Sequence, residues 1–277
     1  MMKNDIRLVA LDLDGTCLNT EGRITSYTKD VLRNVGSKGI SIVIATGRPL
    51  SGVPEELYNI GGLDYIIALN GSRIYDVRKR KNIYVKGLDK KCLGEIPKII
   101  KKYNVLADFF AGDVGYCEKR DYEQAEIYLK DEHFCKYYLS TRKPEVNLWT
   151  RNLNEYSPIE KINLFFDDLE EKEKLLDEIR NFPKTKICSG MKYNLEVNHI
   201  DVNKGNALEI LAGRLDLKLE DVLSIGDGGN DIDMIKKSGI GIAMGNASEK
   251  VKEAADGIAE NNSEDGAAKA LQFYLDI

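Results

Sequence analysis

Asp12 and Asp14 stand one residue apart at the end of the apolar run Leu8-Val9-Ala10-Leu11. Side chains alternate along a strand, so a backbone that stays extended would aim both carboxylates the same way. Two such charges ~4 Å apart repel by about 4 kcal/mol at an effective dielectric of ~20. A cation would offset that cost. A second oxygen-rich stretch, Gly226-Asp227-Gly228-Gly229-Asn230-Asp231, adds two more acids among glycines that permit close main-chain approach. The four acids make a donor set with neither sulfur nor imidazole. That suits magnesium, a hard cation commonly held by a few carboxylates plus a phosphate. Calcium fits less well, because no EF-hand spacing is present. Lys204, beside Gly205 at a helix start, is alone an ordinary exposed helix-end lysine. Near the acids it would meet a phosphoryl group and an attacking carboxylate. No Gly-x-x-x-x-Gly-Lys-[Ser/Thr] occurs, so it is not a P-loop lysine.

The surrounding elements predict how these groups are positioned. Thr25 or Ser26 caps a helix with Tyr27, Val31, Leu32 and Val35 on its apolar stripe. The β-branched run from Ile40 to Ala45 empties into Thr46-Gly47-Arg48-Pro49. A short helix presents Val53, Leu57 and Ile60, and the run from Tyr65 to Leu69 empties into Asn70-Gly71. This β-α-β-α-β order predicts a parallel sheet with right-handed crossovers. Ligands of such sheets bind outside the carboxyl ends of the strands, where Asp12, Asp14, Thr46, Asn70 and Asp227 would gather. Singly, each is an ordinary turn or cap residue; jointly they outline one cleft.

From Ile83 the rhythm changes. A helix over Asp89–Tyr103 precedes a hairpin, Val105–Phe110 and Val114–Glu118, turning at Ala111-Gly112-Asp113. The pattern predicts a helix over Tyr122–His133, a strand over Lys161–Phe166, a helix over Glu170–Asn181 and a strand over Lys184–Cys188. The stretch from Thr141 to Ser157 has no clear period. After Gly190 the first rhythm returns, with a helix striped by Ala207, Leu208, Leu211, Ala212 and Leu215. The strand from Val222 to Gly226 follows, then a short helix from Asp231 to Lys237, a strand from Gly239 to Met244, and terminal helices. The expected architecture is α/β: a Rossmann-like parallel-sheet core (1–82 and 188–277) with an inserted α+β cap domain (83–187).

Bulk properties exclude several classes. The 277 residues suffice for one large or two ordinary domains. A hydrophobic share of 43% and a charged share of 31% argue against disorder. The net charge of −5 gives no electrostatic case for nucleic acid or an anionic membrane. Five cysteines without Cys-x-x-Cys spacing and two unrelated histidines argue against a disulfide framework, a zinc site or a His-based triad. No apolar run reaches the ~20 residues that span a bilayer, and no leader segment is expected. The reading is a cytoplasmic protein. Oligomeric state leaves no signal in the sequence.

Five segments occur in a fixed order: Asp12-Leu13-Asp14-Gly15-Thr16, Ala45-Thr46-Gly47-Arg48, Asn70-Gly71, Lys204-Gly205-Asn206-Ala207-Leu208 and Gly226-Asp227-Gly228-Gly229-Asn230-Asp231. Together they resemble the haloacid dehalogenase superfamily of phosphatases, and within it the Cof-type branch with a large α/β cap. Ile242-Ala243-Met244-Gly245-Asn246-Ala247 and Ala255-Asp256 resemble the same branch. The resemblance implies that Asp12 is the nucleophile and takes the phosphoryl group as an aspartyl-phosphate. Asp14 would then be the general acid and base, and Thr46 and Lys204 would hold the transferring oxygens. It implies magnesium at Asp12, the Asp14 main-chain carbonyl and Asp227, with Asp231 in or just behind the metal shell. Gly47, Arg48, Asn70 and Asn230 become candidate phosphate or substrate contacts. Cys17 stands where the family usually has an apolar residue, and reads as buried and inert.

The implied activity is a magnesium-dependent phosphatase for small phosphorylated metabolites, such as sugar phosphates or phosphorylated cofactors. The alternatives are a phosphomutase of the same superfamily and a non-catalytic, receiver-like phospho-acceptor switch. The inserted domain and the second acid, Asp14, count against the switch.

Overall fold

In a computed structural model, residues 5–156, 158–189 and 191–277 are described. Ser157 and Gly190, which bounded two of the expectations above, lie outside them. The chain divides into two compact units. The first comprises Met1–Arg48, Val53–Tyr84 and Asn203–Ile277; the second comprises Pro49–Gly52 and Val85–Val202.

Strands of the first unit are β1 (Leu8–Asp12), β2 (Ser41–Ala45), β3 (Leu63–Ala68), β4 (Arg73–Asp76) and β5 (Lys81–Val85). The second unit contributes β6 (Leu106–Ala111), β7 (Val114–Glu118), β8 (Arg142–Glu145), β9 (Ile159–Phe165), β10 (Thr185–Cys188) and β11 (Asn194–His199). The chain then returns with β12 (Val222–Gly226), β13 (Ile240–Ala243) and β14 (Gly257–Ile258).

The first sheet runs β14-β13-β12-β1-β2-β3-β4-β5. It is parallel from β14 to β3, and β4 pairs antiparallel with β3. Leu8, Val9, Ala10 and Leu11 of β1 are wholly inaccessible. An unbroken apolar run is what a strand covered on both faces requires. The strand order reverses at β1, which lies between β12 and β2, and such a switch point opens a crevice at the carboxyl ends. In the register, Asp12 lies opposite Ala45, Ala45 opposite Ile67, and Leu11 opposite Ile225. The residues that leave these strands therefore emerge at one level.

The second unit is α+β. Its sheet runs β10-β11-β9-β6-β7-β8, antiparallel except for β7 with β8. One face packs Phe109, Ile162, Leu164, Leu195 and Val197 with Ile96, Trp149 and Leu175. The other carries a buried ion pair, Arg142 Nε donating to Asp108 Oδ2 at 2.8 Å, with Asn163 Nδ2 donating to Asp108 Oδ1 at 2.6 Å. The Arg142 guanidinium also lies over the rings of Phe110 and Tyr138. The ionic and aromatic contacts fasten β8 to the sheet.

Two sequence expectations are corrected, and one stretch without a clear period takes a definite form. The second unit extends to Val202 rather than 187, because β11 pairs with β9 and β10. The helix expected over 122–133 is instead three helices, Lys119–Glu123, Ala125–Tyr128 and Glu132–Thr141. Leu129 is extended, and Asp131 starts the last of them by accepting from Phe134 N at 2.7 Å. The stretch from 141 onward, without a clear period, supplies β8 and a 3₁₀ turn at Leu148–Thr150.

Candidate active site

Asp12 ends β1, and the chain turns at once through a single π-type turn, Leu13–Cys17, closed by Leu18 N donating to Leu13 O at 2.9 Å. The turn requires Gly15, which has φ +79°; a Cβ there would lie 2.3 Å from Asp227 Oδ2. The Asp227 carboxylate and the turn after Asp12 therefore occupy adjoining space, and any side chain at 15 would separate them.

Lys204 is the first residue of helix Lys204–Arg214, whose N-cap Asn203 accepts from Asn206 N at 2.7 Å. Gly205 lets this helix press against the chain near Asp233, where a Cβ would meet the Asp233 carbonyl oxygen at 2.6 Å. That close packing carries Lys204 inward. Only 1% of its side chain is exposed. Its Nζ donates to Asp12 Oδ1 at 2.5 Å and to Asp231 Oδ1 at 2.6 Å. Asp231 Oδ2 accepts from the main-chain N–H groups of Asp227 (3.1 Å) and Gly228 (2.8 Å). Both Asp231 oxygens are thus engaged in holding the lysine and the loop. Carboxylate oxygens of Asp12, Asp227 and Asp231 lie within 4.8 Å of one another.

Three carboxylates against one ammonium leave the cluster short of positive charge. Burial, reinforced by Asp231, pushes the Asp12 carboxyl well above its ordinary range despite Lys204. Asp227 is raised by burial and then by Asp231. Burial alone would lower Lys204, but Asp12 and Asp231 override it and hold the ammonium above its usual value. The same desolvation, with Asp12 adding to it, raises the Cys17 thiol and keeps it neutral.

Asp14 is outside this cluster. Its side chain is 54% exposed and is gripped by Arg48, with Nε to Oδ2 at 2.9 Å and Nη2 to Oδ1 at 2.6 Å. The strand ends at Asp12, so the alternation that would aim the two carboxylates together stops there. The charges crowding Asp12 belong to Asp231 and Asp227, not to its neighbour. Thr46, buried beyond β2, accepts from Arg48 N through Oγ1 at 3.1 Å. Asn70 has φ +58° and accepts from Asn230 Nδ2 at 3.0 Å. Gly47 fits beside it, since a Cβ there would reach Asn70 Oδ1 at 3.0 Å.

The family model for haloacid dehalogenase-like hydrolases matches residues 9–271. The chain belongs to that family. Among relatives of this hydrolase is the 5-amino-6-(5-phospho-D-ribitylamino)uracil phosphatase YcsE of Bacillus subtilis. It is 31% identical over 272 residues, covering 98% of this chain and 96% of the relative. The phosphatase YwpJ of the same organism is 27% identical, covering 98% and 100%. A haloacid dehalogenase-like hydrolase from Bacteroides thetaiotaomicron superposes with a TM-score of 0.82 at 28% identity, covering 97% and 99%. The subclass IIB sugar phosphatase BT4131 superposes with a TM-score of 0.80 at 26% identity, covering 98% and 100%. This haloacid dehalogenase-like protein is a Cof-type phosphatase, a phosphoric monoester hydrolase. Among its described residues, no helix is long and apolar enough to cross a membrane.

The structure brings Asp12, Lys204, Asp227 and Asp231 together, places Asp14 on the Arg48 guanidinium and Thr46 on the Arg48 main-chain N–H, and places Asn70 with Asn230. Sequence reasoning gave no role to Thr16, whose hydroxyl donates to Asp227 Oδ1 at 3.3 Å, or to Asn246, which donates to Asp227 Oδ2 at 3.4 Å. A signal for Asn246 existed, because it leaves the carboxyl end of β13, on the same rim as the other strand ends.

Proposed function

We propose that this phosphatase hydrolyses small phosphorylated metabolites in two steps at Asp12. In the first, an Asp12 carboxylate oxygen forms a bond to phosphorus as the ester P–O bond breaks, and Asp14 gives its proton to the departing alkoxide. In the second, Asp14 takes a proton from water, whose oxygen displaces the Asp12 carboxylate and releases phosphate. The observation that carries this reading is the buried Lys204, which holds Asp12 from one side while Asp231 holds the lysine. A carboxylate fixed by an ammonium is aimed before substrate arrives, and the same ammonium faces the charge that develops on the transferring oxygens.

The donor set fits magnesium. Three carboxylates and no sulfur or imidazole, short of positive charge, suit a hard divalent cation. Asp12 and Asp227, with the Asp14 carbonyl, would hold it. Asp231 would stand behind, since both its oxygens already accept hydrogen bonds. When bound, magnesium offsets the charge of the acids and of a phosphate. Thr46 and Lys204 hold transferring oxygens in this reading. Gly47, Asn70 and Asn230 border the substrate, and Arg48 exchanges Asp14 for a phosphate oxygen when substrate enters.

Two relatives suggest the substrate class. One acts on a phosphoribitylamino pyrimidine and another is a sugar phosphatase, so a phosphorylated sugar or sugar alcohol is the natural starting panel. The five unpaired cysteines suit a reducing cytoplasm, and the acidic net charge gives nucleic acid no basic footprint. The test is cleavage of an aryl phosphate with magnesium and its loss with EDTA. Asp12→Asn abolishes turnover; full turnover by that variant overturns the mechanism.

A further inference from the structure

We propose that Asn246, fixed by Asn262, is a positioning residue that sets the distance between the turn after Asp12 and the Asp227 carboxylate. The inference rests on the reading of Asp12 and Asp227 as metal ligands, and it adds to that reading two asparagines from the far end of the chain.

The geometry forms a closed chain of hydrogen bonds. Asn246 Nδ2 donates to Gly15 O at 2.9 Å and to Asp227 Oδ2 at 3.4 Å. Asn246 Oδ1 accepts from Asn262 N at 2.9 Å, and Asn262 Nδ2 donates to Leu18 O at 2.8 Å. The orientation of the Asn246 amide is therefore decided by its partners. A main-chain N–H can only donate, so the amide oxygen faces Asn262; a main-chain carbonyl can only accept, so the amide nitrogen faces Gly15. The two asparagines hold two carbonyls of one short segment, Gly15 within the turn and Leu18 just beyond it. One of them also reaches the carboxylate that the turn must not approach too closely.

The backbone around Asn246 is shaped for this. Gly245 N donates to Glu260 O at 3.2 Å, and a Cβ at 245 would lie 2.8 Å from Asn261 Oδ1. The loop after β13 can thus lie flush against the segment that carries Asn262. With Thr16 on Asp227 Oδ1 and Asn246 on Asp227 Oδ2, both oxygens of that carboxylate are oriented by donors from different elements. Groups that orient a metal-binding carboxylate typically change metal affinity about 10- to 100-fold when removed.

The experiment titrates magnesium alone into the full-length protein by calorimetry, without substrate. Asn246→Leu keeps similar bulk and removes both donor and acceptor; it is expected to weaken magnesium about 10- to 100-fold. Asn262→Ala keeps the main-chain donor to Asn246 and loses only the bond to Leu18; it is expected to weaken magnesium about threefold to tenfold, the range for one neutral hydrogen bond. Saturating magnesium should restore most of kcat in both variants with the substrate KM unchanged, which a general packing defect would not allow. Asp227→Asn serves as the reference for a lost ligand. Wild-type affinity in both asparagine variants, with affinity lost in Asp227→Asn, overturns this inference and leaves the metal reading standing. A wild-type protein that takes no magnesium overturns both. Should Asn246→Leu fail to fold, unaltered affinity in Asn262→Ala and in Asn246→Ser overturns it.

Discussion

Replacing Lys204 by methionine tests the electrostatic design of the site most directly. Methionine is unbranched and fills the same channel, so little packing is lost. What is lost is the ammonium shared by Asp12 and Asp231, both buried. Removing one partner of a buried pair costs about 3–5 kcal/mol, because a charge is left uncompensated. For a folding unit of this size that corresponds to a fall in Tm on the order of 10 °C. The loss should depend on pH. Asp12 is already raised above its ordinary carboxylate value, chiefly by burial, and loss of the ammonium raises it further. An acid raised in the folded state gives stability that is full below its unfolded pKa of about 3.9 and is lost as pH rises through the folded value. The gap between variant and wild type should therefore be smallest at pH values below the folded value of wild-type Asp12, where both proteins keep that carboxyl protonated, and widen as pH rises above it. The assay is urea or thermal unfolding at several pH values in a chelating buffer. A gap that stays constant with pH, or no loss of stability at pH 7, refutes the claim that Lys204 compensates these acids.

Three further outcomes are expected. Thr46→Val should lower kcat about 10²- to 10³-fold, the usual effect of losing one preorganised donor, with Tm nearly unchanged; steady-state kinetics beside a melting curve checks both. Gly15→Ala must adopt φ +79° at a cost of about 1–2 kcal/mol, and its Cβ displaces Asp227, so magnesium-induced stabilisation should shrink in a melting assay. Arg142→Met strands the Asp108 carboxylate inside the second unit, at a cost of about 3–5 kcal/mol. Hydrogen exchange should speed up in β6 and β8 while β1 and β12 keep their protection.

The first unit was legible because its signals are local. Buried apolar runs that stop at Asp12, Thr46, Asn70 and Asp227 state both the strands and the rim. The second unit was less legible because its signals are mixed. In β11, Leu195 and Val197 alternate with Asn194, Glu196 and Asn198, and asparagine is poor in strands. Only pairing with β9 and β10 makes that segment a strand and moves the boundary to Val202. Lys161 illustrates the same point. Its burial in β9 is tolerated because Glu196 of β11 lies at 3.1 Å, a partner that no local window contains.

The sequence by itself determined which groups are present at the strand ends and in what order, because strand periodicity and glycine placement are properties of neighbouring residues. Tertiary structure alone decided how those groups divide the work. It separated Asp14 from Asp12 by ending the strand two residues short of Asp14, and gave Asp14 to Arg48. It turned Asp231 inward to hold Lys204, and it brought Asn246 and Asn262 onto a turn more than two hundred residues earlier. Such contacts depend on helix packing and sheet order, which a one-dimensional pattern does not encode.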